Sequence, residues 1–445
     1  MKDSFDPRSY GAMADGHSKD TAAVQAAIDA AAAQGGTVRL AGGTFVCGTL
    51  YLKSNVALEI TNSATLLASP DIADYGTDTH HNRYRNEPEL DRCFLFAQDA
   101  ENVTICGSGV IDGNAAAFPN AGSIYRPMLL RVLRCRNVRV QNLRLMNAAA
   151  WTTAFLDSDF LWVTDLHIEN HRNYNGDGLD FDGCRHVWVR GCYIDGTDDN
   201  LCLQSSGLPV QDVHISDCAF TSVCAGIRIG LKSIGEISGV VISNCTMHNI
   251  WREGIKLECT EGGSITDILV ENVTMHNVRR PIFAILNNRY RPDDLGSSVE
   301  LDHIPPIGTM ARLRLVGITA VDDEGMAHAQ RRFDNDIMGE PRFGGCRLDA
   351  NAAHPIEDVT IRDFWYTAIG GVRLADLPAA PYPEVPDRLQ APTAPGSENY
   401  YPNWSRTTHL DAHYVRGLTL ENLHFITLHS DERPKMLTEG PTVML

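Results

Sequence analysis

Residues 138–145 read VRVQNLRL, and the pattern returns as LWVTDLHI at 161–168, VWVRGCYI at 187–194, VHISDCAF at 213–220, VVISNCTM at 240–247 and ILVENVTM at 268–275. In each copy apolar and polar residues alternate, an Asn, Asp or Gly stands fifth, and the alternation resumes. Successive copies start 23, 26, 26, 27 and 28 residues apart. Period-two alternation puts successive side chains on opposite faces of a strand and does not fit helical repeats with their 3.6 periodicity. The fifth residue is of the kind that turns a corner. One repeat is then one turn of a β coil, with neighbouring coils about 4.8 Å apart. The expected fold is all-β, a right-handed parallel β-helix.

The rhythm extends outward from this stretch. It begins by VTICG at 103–107 and continues as LRLVGITA at 313–320, VTIRDFWY at 359–366 and LTLENLHF at 418–425. Ahead of it, Asp20 and Thr21 are placed to cap an Ala-rich helix running to about Gln34, Gly35 and Gly36 end that helix, and TVRL at 37–40 reads as a strand. A helix there suits the open end of a β array, which otherwise leaves an exposed edge. Residues 1–445 therefore read as one domain, with a cap and first coil over about 1–50 and coils over 51–430. Insertions interrupt the coils at about 70–95, 287–310, 323–350 and 376–408. Long loops on a solenoid tend to lie over its binding face.

The formal charge of −18 disfavours a nucleic-acid or anionic membrane surface, both of which need clustered Lys and Arg. The opening MKDSFDPRSYG has no apolar signal-peptide core, so a cytoplasmic location is expected. Twelve cysteines include no C-x-x-C pair. Cys192, Cys218 and Cys245 share one slot of consecutive repeats, where other repeats carry Leu143, Leu166 or Val273, and read as a ladder of small buried hydrophobes.

Four polar segments stand out at equivalent places: NGDGLD at 175–180, GTDDN at 196–200, AGIRIG at 225–230 and EGIKLE at 253–258. Aligned by their apolar residues, they put Asp180, Arg228 and Lys256 in one outward column, and Asp182, Gln204 and Glu258 in the next. Asp177 and Asp199 precede their strands at a common position, with Asp198 beside them. Two carboxylates one strand spacing apart cannot both ionise freely, so one is expected to hold a proton. A proton donor beside a carboxylate that activates water is what glycosidic hydrolysis requires.

N-x-D-G at 175–178, followed by the Asp-Asp pair at 198–199, resembles the polygalacturonase family, glycoside hydrolase family 28. The opening FDPRSYGAMADG with DTAAVQAAIDAAAAQGGTVRLAGGTF is similar to that family's cap and first coil. The resemblance implies Asp198 as general acid, Asp177 and Asp199 as the pair that holds and deprotonates water in an inverting displacement, and Asn175 as a positioning group. It implies an oligosaccharide or polysaccharide substrate, no metal and no organic cofactor. It fixes no oligomeric state. Asp180, Arg228, Lys256, Glu258 and Tyr290 are the expected substrate contacts. Two departures bear on the substrate: Cys224-Ala225-Gly226 replaces the family's Gly-His-Gly, and Lys256-Leu257-Glu258 replaces its Arg-x-Lys. A Glu facing the sugar would repel galacturonate, so a neutral or differently charged sugar is expected. The opening without a signal-peptide pattern and the loops at about 70–95 and 376–408, placed to wall a groove into a pocket, point to attack at a chain end.

Other chemistries suit the same frame. A lyase would bind Ca²⁺ through Asp177, Asp180, Asp198 and Asp199 and abstract a proton with Arg228 or Lys256. A glycosyl transferase would differ only in the attacking group. A binding protein that has lost catalysis is the reading from outside enzymology.

Overall fold

The computed structural model of the chain describes residues 4–79, 92–120, 126–289, 305–325, 344–379, 385, 404–439 and the strand Thr442–Met444. At the fifth position of the repeats the backbone enters the left-handed region. Asn142, Asp165 and Gly191 have φ of 56°, 54° and 67°, and Asp217, Asn244, Asn272, Gly317, Asp363 and Asn422 lie between 53° and 65°. Gly adopts this conformation without penalty, and Asn and Asp tolerate it because their short side chains bond locally. Corner side chains also bond along the stack: Asn272 Nδ2 donates to Asn244 Oδ1 at 2.6 Å, and Asn422 Nδ2 to Asp363 Oδ1 at 2.7 Å.

The chain falls into two compact units, Met1–Leu201 with Asp212–His214, and Cys202–Gln211 with Ile215–Leu445. In the first, Thr153–Leu156, Asp159–Thr164 and His167–Asn170 form one coil of three strands, and Leu179–Asp182, Arg185–Arg190 and Tyr193–Gly196 form the next. The pairing is parallel and in register, with Leu161 opposite Val187, Val163 opposite Val189 and Ile168 opposite Ile194, all buried. Phe155 and Phe181 stack with centroids 4.9 Å apart inside the coil. In the second unit Glu236–Ser243, Ser264–Leu286, Thr309–Val321, Ile356–Gly370 and Val415–His429 pair in parallel succession. Their register lines up Val240, Ile268, Leu313, Val359 and Leu418 in one buried inward row. The fold is the right-handed parallel β-helix that the repeat predicts.

The helix Thr21–Gln34 packs on the strands Thr37–Leu40 and Leu50–Leu52 through Ala23, Val24, Ala27, Ile28 and Ala31. Gly35 ends it in the left-handed region, its N–H bonded to the Ala31 carbonyl. Its start differs from the expected cap. The Asp20 carboxylate turns back to accept from the Met13 and Ala14 amides at 2.7 and 3.0 Å, and Thr21 Oγ1 accepts from Gly48 N–H at 2.8 Å. All twelve cysteines are free thiols, and Cys192, Cys218 and Cys245 are buried in the slot expected of them. The four expected insertions fall largely outside the described residues, at 80–91, 290–304, 326–343 and 380–403 apart from Val385. No helix among the described residues is long and apolar enough to cross a membrane.

Candidate active site

The acids that the sequence singles out meet in the first unit. Asp177 lies in the connection before Leu179–Asp182, and Asp198 and Asp199 lie one coil later, after Tyr193–Gly196. The two connections are hydrogen-bonded to each other: Gly178 N–H donates to the Asp199 carbonyl at 3.1 Å, and Leu179 N–H to that of Asn200 at 2.9 Å. Thr197 fastens the approach, its hydroxyl donating to the Asn173 carbonyl at 2.6 Å and accepting from Gly176 N–H at 3.1 Å. On the other side, Thr152 N–H donates to the Asp177 carbonyl at 2.9 Å.

This contact explains why glycine stands on both sides of Asp177. A Cβ on Gly176 would lie 2.3 Å from Thr197 Oγ1 and 2.7 Å from the Asn170 carbonyl oxygen, and one on Gly178 would lie 2.3 Å from that of Asn200. Those separations are far inside van der Waals contact, so any larger residue pushes the coils apart. An oxygen of Asp177 then comes within 4.8 Å of one of Asp199, as does one of Asp198. Asp177 and Asp199 are 6% and 1% exposed, whereas Asp198 is half-buried. Asp198 Oδ1 accepts from Asp199 N–H at 2.9 Å, which fixes its direction. Two carboxylates are thus recessed and adjacent, and the third reaches outward beside them.

Asn175 enters the same connection in the left-handed conformation, with φ 53°. Its Oδ1 accepts from Arg126 Nη2 at 2.8 Å, and Arg126 Nη1 donates to the Tyr174 carbonyl at 2.6 Å. Sequence reading gave no sign of Arg126, which lies 49 residues earlier in a stretch without repeat character. Asp180 sits on its strand opposite Ala154 and in line with Arg131 one coil further back. It is buried, as Arg131 is, and is not a solvated strand residue.

The charged residues of the second unit form a network of their own. Arg228 and Lys256 are opposite each other, as the alignment expects. Arg228 Nε donates to Glu258 Oε2 at 2.6 Å, and Lys256 Nζ lies 3.6 Å from Glu258 Oε1 and 3.7 Å from Glu253 Oε2. Glu253 also meets Arg280 at 3.3 Å and Arg252 at 3.4 Å. Lys256 and Glu258 are wholly buried, and the Arg228 side chain is 13% exposed. This corrects the expectation of a free, repelling Glu258: its charge is held by two cations. Next along the sheet, Phe283 and Ile285 stand opposite Lys256 and Glu258 and are covered by Val385. Tyr290 lies outside the described residues.

With this geometry in view, the comparisons are specific. Residues 44–300 match the family described as Glycosyl hydrolases family 28. The chain belongs to that family. The match includes both acidic connections and the charged network, and it leaves the later coils outside. Among curated relatives, a Vitis vinifera protein named "Probable polygalacturonase" is 26% identical over 262 residues, which is 52% of this chain and 52% of that protein. An exo-poly-alpha-D-galacturonosidase from Dickeya chrysanthemi is 25% identical over 243 residues, 43% of this chain and 40% of its own length. The chain spans about half the length of the curated relatives it matches. The solved exopolygalacturonase of Thermotoga maritima superposes with a TM-score of 0.65 at 20% identity, over 82% of this chain and 87% of that one, a likeness of fold.

Proposed function

We propose that this family 28 protein hydrolyses an O-glycosidic bond of a plant or microbial oligo- or polysaccharide by a single inverting displacement. The observation that carries the reading is the position of Asp177 and Asp199, which face each other across two coils within 4.8 Å, with the more exposed Asp198 beside them. At an effective dielectric constant of 20, two ionised carboxylates that close repel by about 3 kcal/mol, and a water molecule that donates one hydrogen to each offsets part of that repulsion; as its oxygen attacks the anomeric carbon, one of its protons passes to a carboxylate of the pair. Asp198 is the most exposed of the three and is the group suited to protonate the leaving oxygen. In a site with only two carboxylates, so short a separation would suit a covalent, retaining route, because it leaves no room for water between acid and base. Here the recessed pair holds the water together, and the acid is a third residue.

The names of the curated relatives support a galacturonan-type substrate, and that of the Dickeya protein supports attack at a chain end. The Glu258 carboxylate, neutralised by Arg228 and Lys256, does not by itself exclude a uronate. The test is a panel of pectic and other oligosaccharides, with products followed by anomer-resolved NMR, for the parent and Asp198→Asn. Loss of a general acid removes about 10²–10⁴-fold. Equal turnover by Asp198→Asn would overturn the assignment.

A further inference from the structure

The Arg126–Asn175 contact decides something that an asparagine usually leaves open. A side-chain amide has a donor end and an acceptor end that are hard to tell apart by position alone. A guanidinium, however, only donates. The atom 2.8 Å from Arg126 Nη2 must therefore be the amide oxygen of Asn175, which leaves Nδ2 and its two hydrogens on the opposite side. Arg126 is 1% exposed, whereas Asn175 is half-buried, so the oxygen faces inward and the donor end faces out.

The backbone on either side is fixed as well. Tyr174 N–H donates to the Asn120 carbonyl at 3.0 Å, and Gly176 N–H is held by Thr197 Oγ1. Asp177 follows two residues later, and two residues span at most about 7 Å. The Asn175 backbone is thus hydrogen-bonded on both sides and lies within about 7 Å of that of Asp177.

Resting on the proposed hydrolase reading, we infer that Arg126 is a positioning residue that fixes Asn175 as a hydrogen-bond donor to an oxygen of the bound sugar. Arg126 touches no substrate and acts only through the orientation of Asn175.

The test compares Asn175→Asp, Asn175→Ala, Arg126→Ala and Arg126→Lys in the full chain, on whichever oligosaccharide the parent cleaves. Asn175→Asp keeps an oxygen for Arg126 and removes both donor hydrogens. It is expected to melt no lower than the parent and to lose roughly tenfold in kcat/KM, the scale of one lost hydrogen bond to substrate. Asn175→Ala should lose as much. Arg126→Ala should lose a similar factor, mostly in kcat/KM on a folded protein, and Arg126→Lys should recover part of it.

Activity of Asn175→Asp within twofold of the parent overturns the inference. So does a loss confined to the Asp variant, which would mean charge repulsion, and so does full activity of Arg126→Ala. If Arg126→Ala does not fold, the two Asn175 variants and Arg126→Lys decide the question. Asp198→Asn run alongside separates the two proposals, because its retention of activity removes the proposed assignment of the general acid whatever Asn175 does.

Discussion

Arg228 Nε donates to Glu258 Oε2 at 2.6 Å across one coil spacing, and the carboxylate it meets is wholly buried. Removing one partner of a buried pair leaves the other charge without compensation and costs about 3–5 kcal/mol. Glu258→Gln is expected to lower unfolding free energy on that scale, measured by denaturant titration. Glu258→Lys should be worse, because it sets a third cation beside Arg228 and Lys256, and Arg228→Glu combined with Glu258→Lys should recover part of the loss. A Glu258→Lys protein as stable as the parent would show that the pair is not the anchor of this network.

The glycines around Asp177 offer a second test. Gly178→Ala brings a methyl to 2.3 Å from the Asn200 carbonyl oxygen, so the coils must separate where the carboxylates meet. Overpacking of this kind costs about 1–3 kcal/mol. A misplacement near 1 Å costs about 10²-fold in rate. The expected result is a protein that folds with a lowered melting temperature and a kcat reduced by about that factor.

Asp322 in the second unit makes stability depend on pH. Burial pushes its carboxyl up to about 8, against the opposing hydrogen bond that the Tyr366 hydroxyl donates at 3.2 Å. Because the folded state holds this proton more tightly than the unfolded chain, the stabilisation is complete below the unfolded value near 3.8 and is lost as pH rises through about 8. His409 works at the other end. Burial lowers its ring to about 4, so its contribution is present above the ordinary histidine range near 6.5 and is lost as pH falls through about 4. Melting curves across pH 4–9 should show the decline between about pH 4 and 8 flatten in Asp322→Asn, by on the order of a few kcal/mol. An unchanged slope would contradict the assignment.

The thiols give a direct count. Cys106 is half-buried, and the other eleven cysteines are buried. The Cys245 thiol is pushed far up by its hydrogen bond to Cys218 and by burial. A thiol reagent should therefore titrate at most one group in the native protein and twelve after denaturation. Reductant should leave the melting temperature unchanged.

The sequence made most coil corners readable and hid a few. The set at Asn142, Asp165, Asn244 and Asn272 carries residues that suit left-handed backbone. A second set, equally left-handed, includes Phe160 at 56°, His186 at 52° and Arg312 at 57°, types for which that conformation costs about 1–2 kcal/mol. Neighbours offset the cost: Phe160 and His186 stack at 4.4 Å, the Arg136 guanidinium lies over Phe160 at 4.9 Å, and Arg312 forms a two-pronged ion pair with Asp267. Such compensation has no signature in a local pattern.

The same limit applies at the site. Asp177 and Asp199 were readable because they occupy equivalent places before successive strands. Arg126 was not, because it precedes a strand, Met128–Leu133, that is buried throughout and lacks the alternating pattern. Period-two alternation marks Lys256 and Glu258 as outward-facing, but outward on this sheet does not mean exposed.

On the proposed reading, Asp177, Asp198 and Asp199 carry out one displacement by water, with no covalent intermediate. The most direct measurement is the anomeric configuration of the first product, recorded by NMR before mutarotation, on the substrate that the panel identifies. The expected product is a sugar inverted relative to the bond that was cut, formed equally well in the presence of a chelator. A product of retained configuration, or an unsaturated sugar absorbing in the ultraviolet, would contradict it.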